Sequence, residues 1–272
     1  MRLEAKLDMS LIINGTERDT LIIGKSIFKY AGEWTPALAH NATYRGQSLG
    51  SFNETFANDI NNSTFNNMYV GDTFTQNGHT YKIGGFNYLF GADDNVNLSP
   101  HLLMITNMFT YPEMNPSATT SGGFAGSNMW KSYFPTVVKQ LQTDFGSHLL
   151  TWNEYLTTGV EGDAANQGAF SPVQASMMNT VMYWGSPGKD STLASNGTNY
   201  NIGIETKQLP IMKLHTDEQK NGGQKVWLRD VSSASEFAYA SDDGTESSNE
   251  ANSANGFGGD YIDGVRAFFL IG

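Results

Sequence analysis

Three observations predict an α+β, β-rich fold. Gly supplies 29 of 272 residues, and Asn, Ser and Thr are abundant, so turn formers outweigh helix formers. Short aromatic or β-branched runs repeatedly flank Asn-Gly or Asp-Gly pairs, the pattern of hairpins. Helical spacing of apolar residues is clear in one segment only. Aromatic residues make up 12% of the chain and recur along it, which argues against a long disordered region.

Taken in order, Leu7, Met9, Leu11 and Ile13 alternate with their neighbours, Asn14-Gly15 turns, and Thr20–Ile23 returns. This predicts an N-terminal hairpin. Residues 30–67 lack periodicity and read, with the hairpin, as a docking arm over 1–67. Val70–Phe74 and His79–Ile83 flank Gln76-Asn77-Gly78 and predict a second hairpin, and Leu102–Ile105 a buried strand. Trp130, Phe134, Val137, Val138, Leu141 and Phe145 fall at helical spacing. Pro135 starts the main helix in its first turn and Gly146 stops it. Trp152–Leu156 reads as a short helix, Gly159–Gly168 as a loop, and Val173–Tyr183 as helix or strand. After a Gly/Ser-rich loop over 184–199, Lys225–Arg229, Glu236–Ala240 and Val265–Ile271 read as strands. Asp242-Asp243-Gly244 is a turn, and Ser247–Gly259 a polar tract.

The charge balance excludes several functions. Acidic residues outnumber basic ones 27 to 16, giving a net charge of -11; nucleic-acid binding is not expected, nor insertion in a membrane. With no cysteine, disulfides, thiolate metal sites and Cys nucleophiles are ruled out. The first residues do not read as a signal peptide, so synthesis in the cytoplasm is expected. Gly46-Gln47-Ser48-Leu49-Gly50 fits a nucleophile elbow in spacing but lacks the preceding hydrophobic strand and following helix; it reads as a turn. His40, His79, His101, His148 and His215 are scattered without metal-ligand spacing. No cofactor is expected; were Ca²⁺ held, the acids for it would be Asp242, Asp243, Glu246 and Glu250.

Two late segments carry a resemblance. Val226-Trp227-Leu228-Arg229-Asp230-Val231-Ser232-Ser233 is followed by Phe237, Tyr239 and Gly244, and the chain ends on Gly264-Val265-Arg266-Ala267-Phe268. This resembles the W-L-R-S … G-V-R-P-A-F ending of a family of uncharacterised phage and gut-bacterial domains. That family is similar to the C-type lectin-like fold, in the branch of formylglycine-generating enzymes and phage tropism determinants. Ala267 stands where Pro is usual. Val70-Gly71-Asp72 and Met129-Trp130 extend the likeness over 68–272. It implies a C-type lectin-like domain at 68–272 whose terminal strands pair and whose long loops form a binding face. Trp227 would be core. Arg229 and Arg266 would be structural forks holding loop carbonyls or acids such as Asp230 and Asp263. The cysteine-dependent oxidase chemistry of that branch is excluded.

The expectation is therefore a non-enzymatic bacteriophage virion protein: a capsid decoration, head-fibre or tail component in several copies, bound to other virion proteins. Host glycan or protein would be met through Tyr239, Asp242, Asp243, Asn249, Asn252, Asn255 and Tyr261. The alternatives are a bacterial surface adhesin of the same fold, or a glycan-active enzyme with a carboxylate pair.

Overall fold

The computed structural model describes 36–90, 92, 98–110, 113–253 and 262–272, together with the backbone of 3–5, 11–13, 16–17, 20–23 and 26–29. Strands β1 (Leu3–Ala5), β2 (Leu11–Ile13) and β3 (Thr16–Glu17) form one antiparallel sheet, and β4 (Thr20–Ile23) and β5 (Ser26–Lys29) another. The single hairpin expected from 7–13 and 20–23 is thus corrected. Each strand pairs with a neighbour a few residues away, where loop closure costs least.

The segment expected to be a docking arm up to Asn67 is, from Ala37 on, part of the core. Helices α1 (Pro36–His40) and α2 (Glu54–Asn61) are separated by an extended stretch. Asn53 caps α2 by accepting from Thr55 and Phe56 N–H. Ala37, Phe52, Ala57, Ile60 and Phe65 are buried with the sheet residues. Arg45 donates to the fully buried Asp72, at 2.6 Å from Nη2 to Oδ2. Asp72 also accepts Gln47 and Tyr69 N–H. The Val70-Gly71-Asp72 motif is what grips this stretch: at Gly71 (φ +87°) a Cβ would lie 2.2 Å from the Tyr44 ring.

The main sheet holds β6 (Thr73–Gln76), β7 (His79–Phe86), β8 (Leu102–Thr106), β11 (Ser176–Met177) and β16 (Ala267–Ile271), in the order β11-β16-β8-β7-β6, antiparallel throughout. Every residue of β8 and β16 is buried, so these read as continuous apolar runs rather than alternations. A short helix α3 (Gly123–Gly126) and a π-helical turn at Met129–Tyr133 lead into α4 (Phe134–Phe145). Pro135 lies in its first turn and Gly146 (φ +54°) ends it, as the sequence predicts. Phe145 seats against Tyr81 and Phe269 at ring distances of 5.0 and 5.2 Å.

Two readings are corrected next. Trp152–Leu156 is not a helix, nor is 159–168 a loop: β9 (Trp152–Glu161) and β10 (Ala164–Val173) form a two-stranded ribbon. In β9, Trp152, Glu154 and Leu156 are buried while Asn153 and Tyr155 are only partly so, a period of two. The ambiguous 173–183 stretch divides into β11 and α5 (Thr180–Trp184), capped by Asn179 Oδ1 on Met182 N–H. Helix α6 (Pro210–Leu214) follows.

The second sheet has the order β14-β13-β12-β15, from β12 (Val226–Val231), β13 (Glu236–Ala240), β14 (Glu246–Glu250) and β15 (Gly264–Val265). The polar tract from Ser247 thus begins as an edge strand. β15 lies parallel to β12, and Arg266 alone separates it from β16. The chain passes from one sheet to the other at that residue.

Candidate functional site

The residues expected to meet a host lie along the β13–β14 hairpin and its continuation. Tyr239 pairs with Ser247 across the strands and sets its ring edge-on to Trp227, 6.3 Å away. It is half-buried against the core rather than fully presented. Asp242 and Asp243 are exposed at the turn. Asp243 accepts both the N–H and the hydroxyl of Thr245, and these bonds hold its pKa below the ordinary carboxylate value. Asn249 sits opposite Phe237 at the far end, and its Oδ1 accepts from Ser253. Asn252 is exposed. Asn255 and Tyr261 lie outside the described residues. At about 3.3 Å per residue, Asp243 and Asn249 stand about 20 Å apart, so the hairpin offers a ridge and not a pocket.

The four acids considered for Ca²⁺ do not converge. Glu246 turns to Lys189 and Asp190 N–H instead, while Asp242 and Asp243 stay in the turn. Among the described residues no group of three or more His, Asp or Glu side chains could hold a metal.

Trp227 is fully buried, the core place expected of it. Both arginines are forks, but their partners differ from Asp230 and Asp263. Buried Arg229 bridges two fully buried acids, Nη1 to Glu154 Oε1 and Nη2 to Glu205 Oε2, each at 2.5 Å. Burial drives the pKa of Glu205 well above that of an ordinary carboxylate, against the pull of Arg229. Burial also opposes the charge on Arg229, yet the two acids outweigh it and raise its pKa. Glu154 in addition accepts the Trp152 indole N–H at 2.8 Å. Strand β9, the loop before α6 and strand β12 are therefore tied at one point. Asp230 instead faces α5 and accepts the N–H and hydroxyl of Thr180, both at 2.9 Å. Burial raises its pKa despite those bonds.

Arg266 donates to Asn221 Oδ1 at 3.0 Å and to Glu218 Oε2 at 3.2 Å. Lys82 also pairs with Glu218. Burial works against the Glu218 carboxylate, but the two cations outweigh it and lower its pKa. Asp263 accepts Lys225 N–H at 2.7 Å. These long-range partners left no local signal: Glu154 is 75 and Glu205 24 positions from Arg229.

Gly46–Gly50 passes beside Thr73, with Ser48 bridged to it and both end glycines left-handed (φ +74° and +76°), not on a strand-to-helix elbow. His101 is buried, with Nδ1 on Ser99 O and Nε2 receiving Leu89 N–H. His79 pairs with Asp144 at 2.7 Å. An open groove of about 710 Å³ runs along α4, walled by Trp130, Phe134, Val138 and Pro172 and edged by Lys131 and Lys139.

The chain matches no protein-family model, no curated protein and no solved structure. What the fold and site define together is an α+β, β-rich structure whose five-stranded and four-stranded sheets are joined at Arg266 and whose polar loops hang from buried arginine forks.

Proposed function

We propose that the chain is a bacteriophage virion structural protein, a capsid decoration, head-fibre or tail component with a C-type lectin-like fold over 68–272. The observation that carries this reading is where the two resemblance motifs fall. Trp227-Leu228-Arg229 lies in β12 of the second sheet, and Gly264–Phe268 spans the crossing to β16, between β8 and β11 in the main sheet. The long loop region pinned by arginines is what the lectin-like fold asks of those motifs; the pairing of terminal strands that the resemblance implies is not found, since β16 lies between β8 and β11 and β6 stands at the far edge beyond β7. The 178–225 region, with two short helices and extended polar loops, corresponds to the loop face.

On this reading the protein acts by position and multiplicity. Other virion proteins hold many copies on a particle, and the β13–β14 ridge points outward to host glycan or protein. Weak single contacts then add through avidity. No catalytic role and no cofactor enter the proposal. Density-gradient purification of particles, followed by peptide mass spectrometry, tests it. The chain is expected to co-purify with the major capsid protein at a fixed ratio. Its recovery only from soluble or envelope fractions would overturn the reading.

A further inference from the structure

We infer that the cleft between the β9–β10 ribbon and the 198–203 loop is a metal-independent binding site for a neutral saccharide. The cleft has a volume of about 450 Å³ and is lined by Tyr155, Phe170, Thr198, Asn199, Tyr200, Ile202 and Gly203, within the range of small-molecule sites. It shares no lining residue with the β13–β14 ridge, and the inference stands whether or not the chain is a virion component.

Its lining combines flat apolar faces with uncharged polar groups. Tyr155 and Phe170 are directly paired across the ribbon, with ring centroids 5.2 Å apart at 70°. Tyr155 covers Gly168, where a Cβ would lie 2.4 Å from the ring; that cover accounts for its place in the ribbon. It does not account for Phe170, which stands 41% exposed on the same face. Tyr200 faces them, its hydroxyl accepting from Asn196 Nδ2 at 3.2 Å. No lining residue is charged, although the chain carries a net charge of -11. Aromatic faces suit the C–H surface of a pyranose ring, and hydroxyl and amide groups suit its rim. An acidic protein with an uncharged cleft disfavours anionic sugars.

The cleft is also held in shape before any ligand arrives. Asn199 Nδ2 donates to Ser191 O, and its Oδ1 accepts Asn201 N–H. Asn201 in turn both donates to and accepts from the Val231 backbone, at 3.0 and 2.9 Å. At Gly203 a Cβ would lie 2.8 Å from Tyr155 Cβ and 3.4 Å from Arg229 Nη2, so the two walls meet over the Glu154–Arg229–Glu205 cluster. Arg229 is thus a positioning residue: it fixes β9 on one side and the loop ending at Glu205 on the other. Such preorganisation lowers the ordering cost of binding.

The test is saturation-transfer NMR and calorimetry on the full chain with maltohexaose, chitohexaose and hexagalacturonate. At least one neutral hexasaccharide is expected to bind, with saturation concentrated on ring C–H protons, and hexagalacturonate at least fivefold more weakly. Phe170→Ala is expected to weaken binding tenfold or more and Phe170→Trp to restore it. Lys139→Ala, exposed on α4 outside both the cleft and the ridge, should leave it unchanged. Should Phe170→Ala misfold by circular dichroism, Phe170→Leu carries the same expected loss. Failure of both neutral probes, equal binding of the acidic one, or indifference to the loss of the Phe170 ring would each overturn the inference. None of these results bears on whether the chain sits on a particle.

Discussion

Replacing Arg229 by methionine removes one charge and leaves two fully buried acids without their shared partner. Both contacts are 2.5 Å long and both acids are fully buried. Breaking a buried pair in this way costs about 3–5 kcal/mol, set against a usual domain stability of about 5–15 kcal/mol. Glu205 is already biased toward its protonated form by burial, so the loss should be that of a single pair and not two. Urea unfolding followed by tryptophan fluorescence reads it as a drop in midpoint at unchanged slope. A triple variant, Arg229→Met with Glu154→Gln and Glu205→Leu, removes every orphaned charge and keeps an acceptor for the Trp152 indole. It should recover at least about 2 kcal/mol of the loss, because well-packed neutral replacements of buried ion clusters are often neutral or stabilising. A single variant that loses less than about 1 kcal/mol would refute the reasoning, as would a triple variant no more stable than the single.

Trp227→Ala should cost about 3–5 kcal/mol, since the side chain is fully buried, while Asp242→Ala at the exposed turn should stay within about 0.5 kcal/mol; thermal melts of the two compare them directly. Burial lowers the His101 pKa to about 4, so below the unfolded value near 6.5 the unfolded chain binds the extra proton, and stability falls as pH drops from 6.5 to 4. The loss over that window is about 3 kcal/mol, and His101→Gln should flatten it in denaturant titrations at stepped pH. Limited proteolysis should yield no stable fragment that starts just after Asn67, because 37–67 shares the core; mass spectrometry of early fragments checks this.

The strands that bury a continuous apolar run, β8 and β16, and the hairpin around Asn77-Gly78 were legible because their signals are local. So was α4, bounded by Pro135 and Gly146. The β9–β10 ribbon was not. Glu154 sits on the buried face of β9 and masks the period-two alternation, and its compensating charge comes from Arg229, 75 positions later. β10 stays largely open to solvent and is built mostly from Ala, Asn, Gln, Gly, Ser and Pro with few β-branched residues, so a strand there looks like a loop. The docking arm extends too far for a similar reason: Arg45 and Tyr44 join the core through Asp72, Gly71 and His215, tertiary contacts without periodicity. At the site, Arg229 and Arg266 were recognisable as forks, but Glu154, Glu205, Glu218 and Asn221 as their partners were not. Phe170 and Tyr200 escaped notice because a cleft assembled from a ribbon and a distant loop has no sequence motif.

On the proposed function, this domain is carried on a virus particle with its polar hairpin outward. Immunogold electron microscopy tests it most directly, using an antibody raised against the Asp242–Thr245 turn and intact, gradient-purified particles from cells that express the gene. Gold is expected at a repeated, regular position on unbroken particles. Gold confined to the cell envelope, or to particles only after they are disrupted, would contradict it.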